Sequence, residues 1–199
     1  MGIAERKQRQ LEEVRATILE QSWQIVEEEG WEALSIRKIA DAIEYSTPVV
    51  YKHFESKDAI LEAFSREGYS RLADALTEAQ ASQTSPARRL EAISEAYWQF
   101  AQEHPKHYQI MYGLGIPTCQ MIRDIPEIGQ VSALLHSAID DAVKSAADHE
   151  VDIHLKATTF WSILHGLVAM TMIAAPGGPQ MARRTLDDAV QGFIKALLT

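Results

Sequence analysis

Cysteine is almost missing from this chain: Cys119 is the single one among 199 residues. One thiol cannot close an internal disulfide, so the fold is expected to rest on its apolar core, in a reducing cytoplasm. Spaced Cys/His zinc sets, a Gly-x-Ser-x-Gly elbow and a phosphate-binding glycine loop are also lacking. No catalytic set, metal or cofactor is therefore assigned, and an enzyme is not expected. No run of about twenty apolar residues occurs, so no membrane span is expected. The opening Met1-Gly2-Ile3-Ala4-Glu5-Arg6 leads into charge rather than an apolar stretch, unlike a secretory signal. Arg6 stands where a myristoylation signal needs Ser or Thr. Alternating β-branched stretches are nearly missing too, which removes a sheet as the organising element.

Positive charge is in the minority, with 19 Lys and Arg against 28 Asp and Glu, a formal net charge of −9. This does not exclude nucleic acid, because binding depends on where positive charge sits rather than on the sum.

Helical periodicity is what the chain does have. Apolar residues recur at spacings of three and four throughout, predicting an all-α protein of about nine helices. The first runs from about Glu5 to Glu29, with Leu11, Val14, Ile18, Ser22, Ile25 and Val26 inward. Gly30 is a suitable stop, and Trp31 and Leu34 dock back as anchors. Ser35 caps a short helix, Ile36 to Ile43. Glu44-Tyr45-Ser46 turns the chain into a second short helix, Thr47 to Phe54, capped by Ser46 or Thr47, with Pro48 in its first turn. Ser56 caps a helix from Lys57 to about Ala79. Further helices are predicted over Ala87–Glu103, Tyr108–Tyr112, Pro126–Asp148, Val151–Ala174 and Met181–Leu198. The glycines and prolines of Gly113–Pro126 read as a loop.

Two short helices joined by a tight turn form a helix-turn-helix. The second helix must enter a major groove, so it must be small at its start and able to hydrogen-bond further on. Thr47, Pro48, Tyr51, Lys52 and His53 supply that surface, while Val49, Val50 and Phe54 can face inward. Free N–H groups at the starts of both helices can meet phosphates.

The ordered run Leu34-Ser35-Ile36-Arg37-Lys38-Ile39-Ala40-Asp41-Ala42, then Tyr45-Ser46, then Val50-Tyr51-Lys52-His53-Phe54-Glu55-Ser56-Lys57-Asp58-Ala59-Ile60-Leu61 resembles the DNA-binding domain of the tetracycline-repressor (TetR) family. The resemblance covers about Leu11 to Phe64. It implies that Tyr51 and His53 contact the DNA backbone, that Lys57 and Ser35 meet phosphates, and that Thr47, Pro48 and Lys52 face bases or nearby backbone. Arg37 is the remaining candidate, or a plain surface charge. The family usually has glycine in the turn, where this chain has Glu44. Either the turn bends differently or Glu44 takes a left-handed conformation.

The resemblance also implies a division into a DNA-binding domain, residues 1–56, and a helical ligand-binding and dimerisation domain, residues 57–199. The stretch Trp161-Ser162-Ile163-Leu164-His165-Gly166-Leu167 is similar to a Trp…His-Gly motif of one C-terminal subgroup. Tyr97, Phe100, Tyr108, Met111, Tyr112, Trp161 and His165 are candidates to line a ligand pocket, or are core. His165 is a packing residue or a ligand contact. Few basic residues lie there, which favours a small, largely apolar ligand. Independently, the Val151–Ala174 helix is apolar on more than one side and the last helix has its own stripe. Leu164, Val168, Leu186, Val190, Phe193 and Leu197 are therefore candidates for a four-helix homodimer interface. Asp148-His149-Glu150-Val151-Asp152-Ile153-His154 has metal-ligating residue types but reads as a solvated loop.

The function expected is a homodimeric cytoplasmic repressor on a palindromic duplex operator, released by a small-molecule effector. An activator, a regulator answering a protein partner, and an all-helical enzyme or carrier stay open beside it.

Overall fold

Side-chain caps from Ser35, Ser56 and Asp152 fix three helix starts in the computed structural model, which describes residues 2–114, 125–146, 151–173 and 177–199. Cys119, Arg123 and residues 148–150 of the histidine-containing run lie outside the described residues. Among the described residues the order is α1 (Ile3–Glu29), a 3-10 turn (Trp31–Ala33), α2 (Ile36–Ala42), α3 (Thr47–His53), α4 (Lys57–Ala81), α5 (Pro86–Glu103), α6 (Pro105–Tyr112), α7 (Pro126–Ser145), α8 (Ile153–Ile173) and α9 (Gly178–Leu198).

Where α6 and α9 begin earlier than expected, proline is the reason. Pro105 opens α6, three residues before the expected start, and Pro179 lies in the first turn of α9. A first-turn residue needs no N–H donor and proline's fixed φ suits it, so these prolines begin helices rather than merely ending their neighbours. At the other end of α7, Ala146 is extended at φ −90 and ψ 162, which stops that helix at Ser145 rather than Asp148.

The chain divides into two compact units, Met1–Ser65 with Gln109–Asp124, and Arg66–Tyr108 with Ile125–Thr199. In the first, Ile18, Ile25 and Val26 of α1 pack with Trp31, Leu34, Ile39, Val50, Phe54, Ile60 and Phe64. Trp23, Trp31 and Phe64 meet mostly edge-on, with centroids 5.3–6.0 Å apart. Leu11 is 43% exposed, so the inner stripe of α1 starts near Val14 rather than at its expected first member. Gly30 ends α1 at φ 84 and ψ 171, a region open to glycine alone.

In the second unit α5, α7, α8 and α9 pack pairwise. Val131, Leu135, Ala138, Ile139 and Ala142 form the inner face of α7. The stripes chosen for a dimer interface have another role. Leu164, Val168, Leu186, Val190 and Leu197 are all at most 4% exposed within the single chain, and Phe193 stacks on Phe160 at 5.0 Å. Leu164, Val168, Leu186, Val190 and Leu197 join α8 and α9 to their own core and are covered before any second copy arrives, while Phe193 is half-buried. A stripe marks a buried face but not which neighbour buries it. The exposed large apolar residues of these helices are Leu155, Met170, Ile173 and Met181.

Candidate functional site

The turn between α2 and α3 is built by backbone hydrogen bonds. Tyr45 N–H donates to the Ala40 carbonyl at 3.0 Å and Glu44 N–H to that of Asp41 at 3.3 Å. This pair of bonds is a Schellman ending, whose middle residue must be left-handed. Glu44 holds that place at φ 58, and it is the one positive-φ residue other than glycine among those described. Of the two readings of this turn, the left-handed one is therefore correct.

Ser35 caps α2, its hydroxyl accepting from Lys38 N–H at 3.2 Å. Its own O–H proton is left to donate outward, and the residue is exposed. Ser46 precedes α3 in extended conformation, without a side-chain cap bond. On α3, Val50 and Phe54 are buried and Val49 and Thr47 half-buried. Pro48, Tyr51 and Lys52 are exposed, Tyr51 at 53%, with His53 half-buried behind them. Arg37 is exposed on α2 and Lys57 half-buried at the start of α4. The Ser56 hydroxyl accepts from Ala59 N–H at 3.2 Å, fixing the first turn of α4. One face of this unit thus combines small, aromatic and basic groups with a helix start.

Arg15 is a contributor that sequence reading missed. Its guanidinium donates to the His53 carbonyl at 2.9 Å and lies 4.0 Å over the Phe54 ring. A cation on the last carbonyls of a helix complements the helix dipole, so Arg15 ties α1 to the C-terminal end of α3. Nothing in its sequence spacing marks it, because the pair spans 38 residues. Lys38 pairs with Glu29, which occupies that charge locally.

In the second unit, four of the expected pocket residues form a hydrogen-bonded chain. Trp161 Nε1–H donates to Tyr97 Oη at 3.3 Å, Tyr97 Oη lies 3.0 Å from Tyr108 Oη, and Tyr108 Oη lies 2.7 Å from His165 Nδ1. Indole N–H can only donate, which allows a consistent order running Trp161 to Tyr97 to Tyr108 to His165. Burial lowers the His165 pKa from its ordinary value, favouring the neutral imidazole that can accept at Nδ1. Tyr97, Phe100 and Tyr108 are buried, and Trp161 and His165 half-buried. Met111 and Tyr112 fall in the first unit instead, Met111 buried and Tyr112 half-buried.

A cleft of about 430 Å³ between α5 and α9 is polar, lined by Arg88, Glu91, Glu95, Arg183, Asp187 and others. Arg183 pairs with Glu95 at 2.6 Å and with Asp187 at 3.1 Å. Gln191 and Arg88 both bond Glu91, holding its carboxyl below the usual range. These charges satisfy one another, so the cleft reads as an ion-paired seam.

Comparison with known proteins agrees with this layout. Residues 18–64 match the family described as bacterial regulatory proteins, tetR family. Residues 90–194, more than half of the chain, match the tetracyclin repressor-like C-terminal domain. The chain is 26% identical over 164 residues to the HTH-type transcriptional activator FasR of Mycolicibacterium smegmatis, covering 82% of this chain and 71% of that protein. Among solved structures, a protein of unknown function from Rhodococcus sp. RHA1 shares the fold at a TM-score of 0.77 and 22% identity, over 93% of this chain and 95% of that one. The fatty acid degradation regulator FadR of Bacillus halodurans does so at 0.69 and 17%, over 92% and 94%. With a helix-turn-helix at one end and this helical domain over most of the remainder, the chain belongs to the TetR family of DNA-binding transcriptional regulators.

Proposed function

We propose that this regulator is a homodimeric repressor that binds a palindromic operator through α3 and is released by a small, largely apolar ligand. Residues 1–56 read the DNA and residues 57–199 bind the ligand and the second subunit. The observation that carries the DNA reading is the exposed face of α3. Pro48, Tyr51 and Lys52 point out of a helix whose Val50 and Phe54 are locked in the core. Lys52 faces the groove. Tyr51, His53, Ser35 and Lys57 meet phosphates, with Arg37 adding charge and Thr47 a hydroxyl at the helix start.

For the second subunit we assign the outer faces of α8 and α9 in place of the buried stripes. Leu155, Thr159, Ser162, Gly166, Met170 and Ile173 follow one another at helical spacing on α8, as do Met181, Thr185, Asp188 and Gly192 on α9. Four large apolar residues among them are exposed, Ile173 at 78%. A C₂ pairing of these faces would present two copies of α3 about one DNA turn apart, roughly 34–36 Å, or a multiple of it.

The ligand reading rests on the Trp161–Tyr97–Tyr108–His165 chain. A ligand atom entering that chain would exchange one internal hydrogen bond for another, at little cost in buried polarity. Ligand binding then favours a state whose recognition helices no longer match successive grooves. α4 and α6 each have residues in both units, and α4, which follows the recognition helix directly, is the covalent route we assign to that change. A regulator of fatty acid degradation shares the fold, so compounds of that class head the effector screen.

Binding-site selection on random duplex DNA tests the reading. The expected result is a palindrome, lost in a Tyr51→Ala/Lys57→Ala variant. No enrichment at low salt would sink it. The relative named as an activator favours a second reading, in which the same operator complex raises transcription. Transcription in vitro from an operator-bearing template separates the two by the sign of the change.

A further inference from the structure

Two imidazoles meet edge to edge between α7 and α8. His136 Nε2 lies 3.0 Å from His154 Nδ1, with ring centroids 5.1 Å apart and planes 25° from parallel. The other nitrogen of His136 fixes the chemistry. Nδ1 lies 2.9 Å from the Ser132 carbonyl oxygen. A carbonyl only accepts, so Nδ1 carries the proton and Nε2 offers a lone pair. That is how metal-ligating histidines are commonly held: one N–H is given to a backbone carbonyl, and the ring is oriented with its other nitrogen outward. His154 stands in the first turn of α8, where the Asp152 carboxylate accepts Leu155 N–H at 2.9 Å and pins the backbone. His136 is half-buried and His154 exposed, so water can reach the pair.

We propose that His136 and His154 form a two-histidine site for one divalent transition-metal ion that ties α7 to α8. Imidazole nitrogen selects nickel, copper or zinc over magnesium and calcium, which want oxygen. Two nitrogens each about 2.0–2.1 Å from one ion, at a right angle, stand about 3.0 Å apart. The nitrogen separation suits tetragonal and octahedral ions, and because the ring centroids stand 5.1 Å apart, nearly head-on, both rings turn to aim their nitrogens at the ion. Without the ion, His154 Nδ1–H donates to His136 Nε2. The ion takes the place of that hydrogen, and His154 carries its proton on Nε2 instead. Among the described residues no third His, Cys, Asp or Glu joins the pair. The proposal is independent of the operator and effector readings.

The test uses the full-length chain without an affinity tag, stripped by chelator and titrated calorimetrically with nickel chloride, with magnesium chloride as control. Saturable binding of one nickel per chain, with a raised melting temperature, is expected. Loss of a second-shell partner alone commonly weakens a site 10–100-fold, so His136→Gln and His154→Gln should each weaken binding at least about tenfold. Circular dichroism and the metal-free melting temperature of both variants report whether the fold is kept. Copper(II) paramagnetic resonance should show two coupled nitrogens in the wild type and fewer in each variant. Unchanged nickel binding in the folded double variant, or none by the wild type, overturns the proposal.

Discussion

Glu44 shows how a single residue carries strain that the fold tolerates. A non-glycine residue in the left-handed region costs roughly 1–2 kcal/mol, and Glu44 does so at φ 58 in an exposed turn. Glu44→Gly should raise stability by about 1 kcal/mol, less than the full strain because glycine also frees the unfolded chain. Urea unfolding checks this. The change also removes a negative charge beside the helix proposed to enter DNA, so operator affinity should rise at low salt. His107 is the other residue with a marked environment. Burial lowers its pKa from 6.5 to about 4, against a weaker pull from Glu67, whose carboxylate lies 3.9 Å away. The folded state keeps this imidazole neutral while the unfolded state protonates below about 6.5. Stability from this group is therefore full above that pH and lost as pH falls towards 4. Between pH 7.5 and 5 the loss is about 2 kcal/mol. Unfolding at both pH values, in wild type and His107→Leu, should show the variant less pH-dependent by that amount.

Among the elements, α3 is only seven residues long, too short to hold itself in water. Its pose depends on Val50 and Phe54 beneath it and on Arg15 at its end. Arg15→Met removes a charge-assisted bond and a cation–π contact, which at a solvent-exposed site should cost about 1 kcal/mol. Operator affinity should fall although no side chain on α3 has changed, and Arg15→Lys should restore only part of it. Fluorescence anisotropy on a labelled operator measures both. The α2–α3 motif was legible because its capping residues, turn and inward apolar positions are all local. The Arg15 contact was not, since only folding brings residues 15 and 53 together. The packing of the α9 stripe was not legible for a related reason: α9 is amphipathic, and its apolar side faces α8 and α5 of the same chain.

At the scale of the whole molecule, two substitutions test assembly and DNA reading separately. A Cβ on Gly192 would meet nothing within 4 Å, so Gly192→Arg leaves the single chain's packing intact while filling the proposed dimer face. Light scattering should move from twice the 22.3 kDa chain mass towards one, with operator binding weakened. An unchanged dimer would exclude the outer face of α9. Lys57→Ala removes one proposed phosphate contact, so the slope of log affinity against log salt should become shallower by about 1. An unchanged slope would remove Lys57 from the interface.

By itself the sequence determined the all-helical class, the helix-turn-helix and its resemblance to the TetR family. Each of these is written in local spacing, caps and turn residues. Only the tertiary structure decided that the stripes of α8 and α9 are spent on their own core, that Glu44 is left-handed, that Tyr97, Tyr108, His165 and Trp161 form one hydrogen-bonded chain, and that His136 meets His154. Those facts depend on which helix faces pack against which, and periodicity along one helix carries no record of its neighbour.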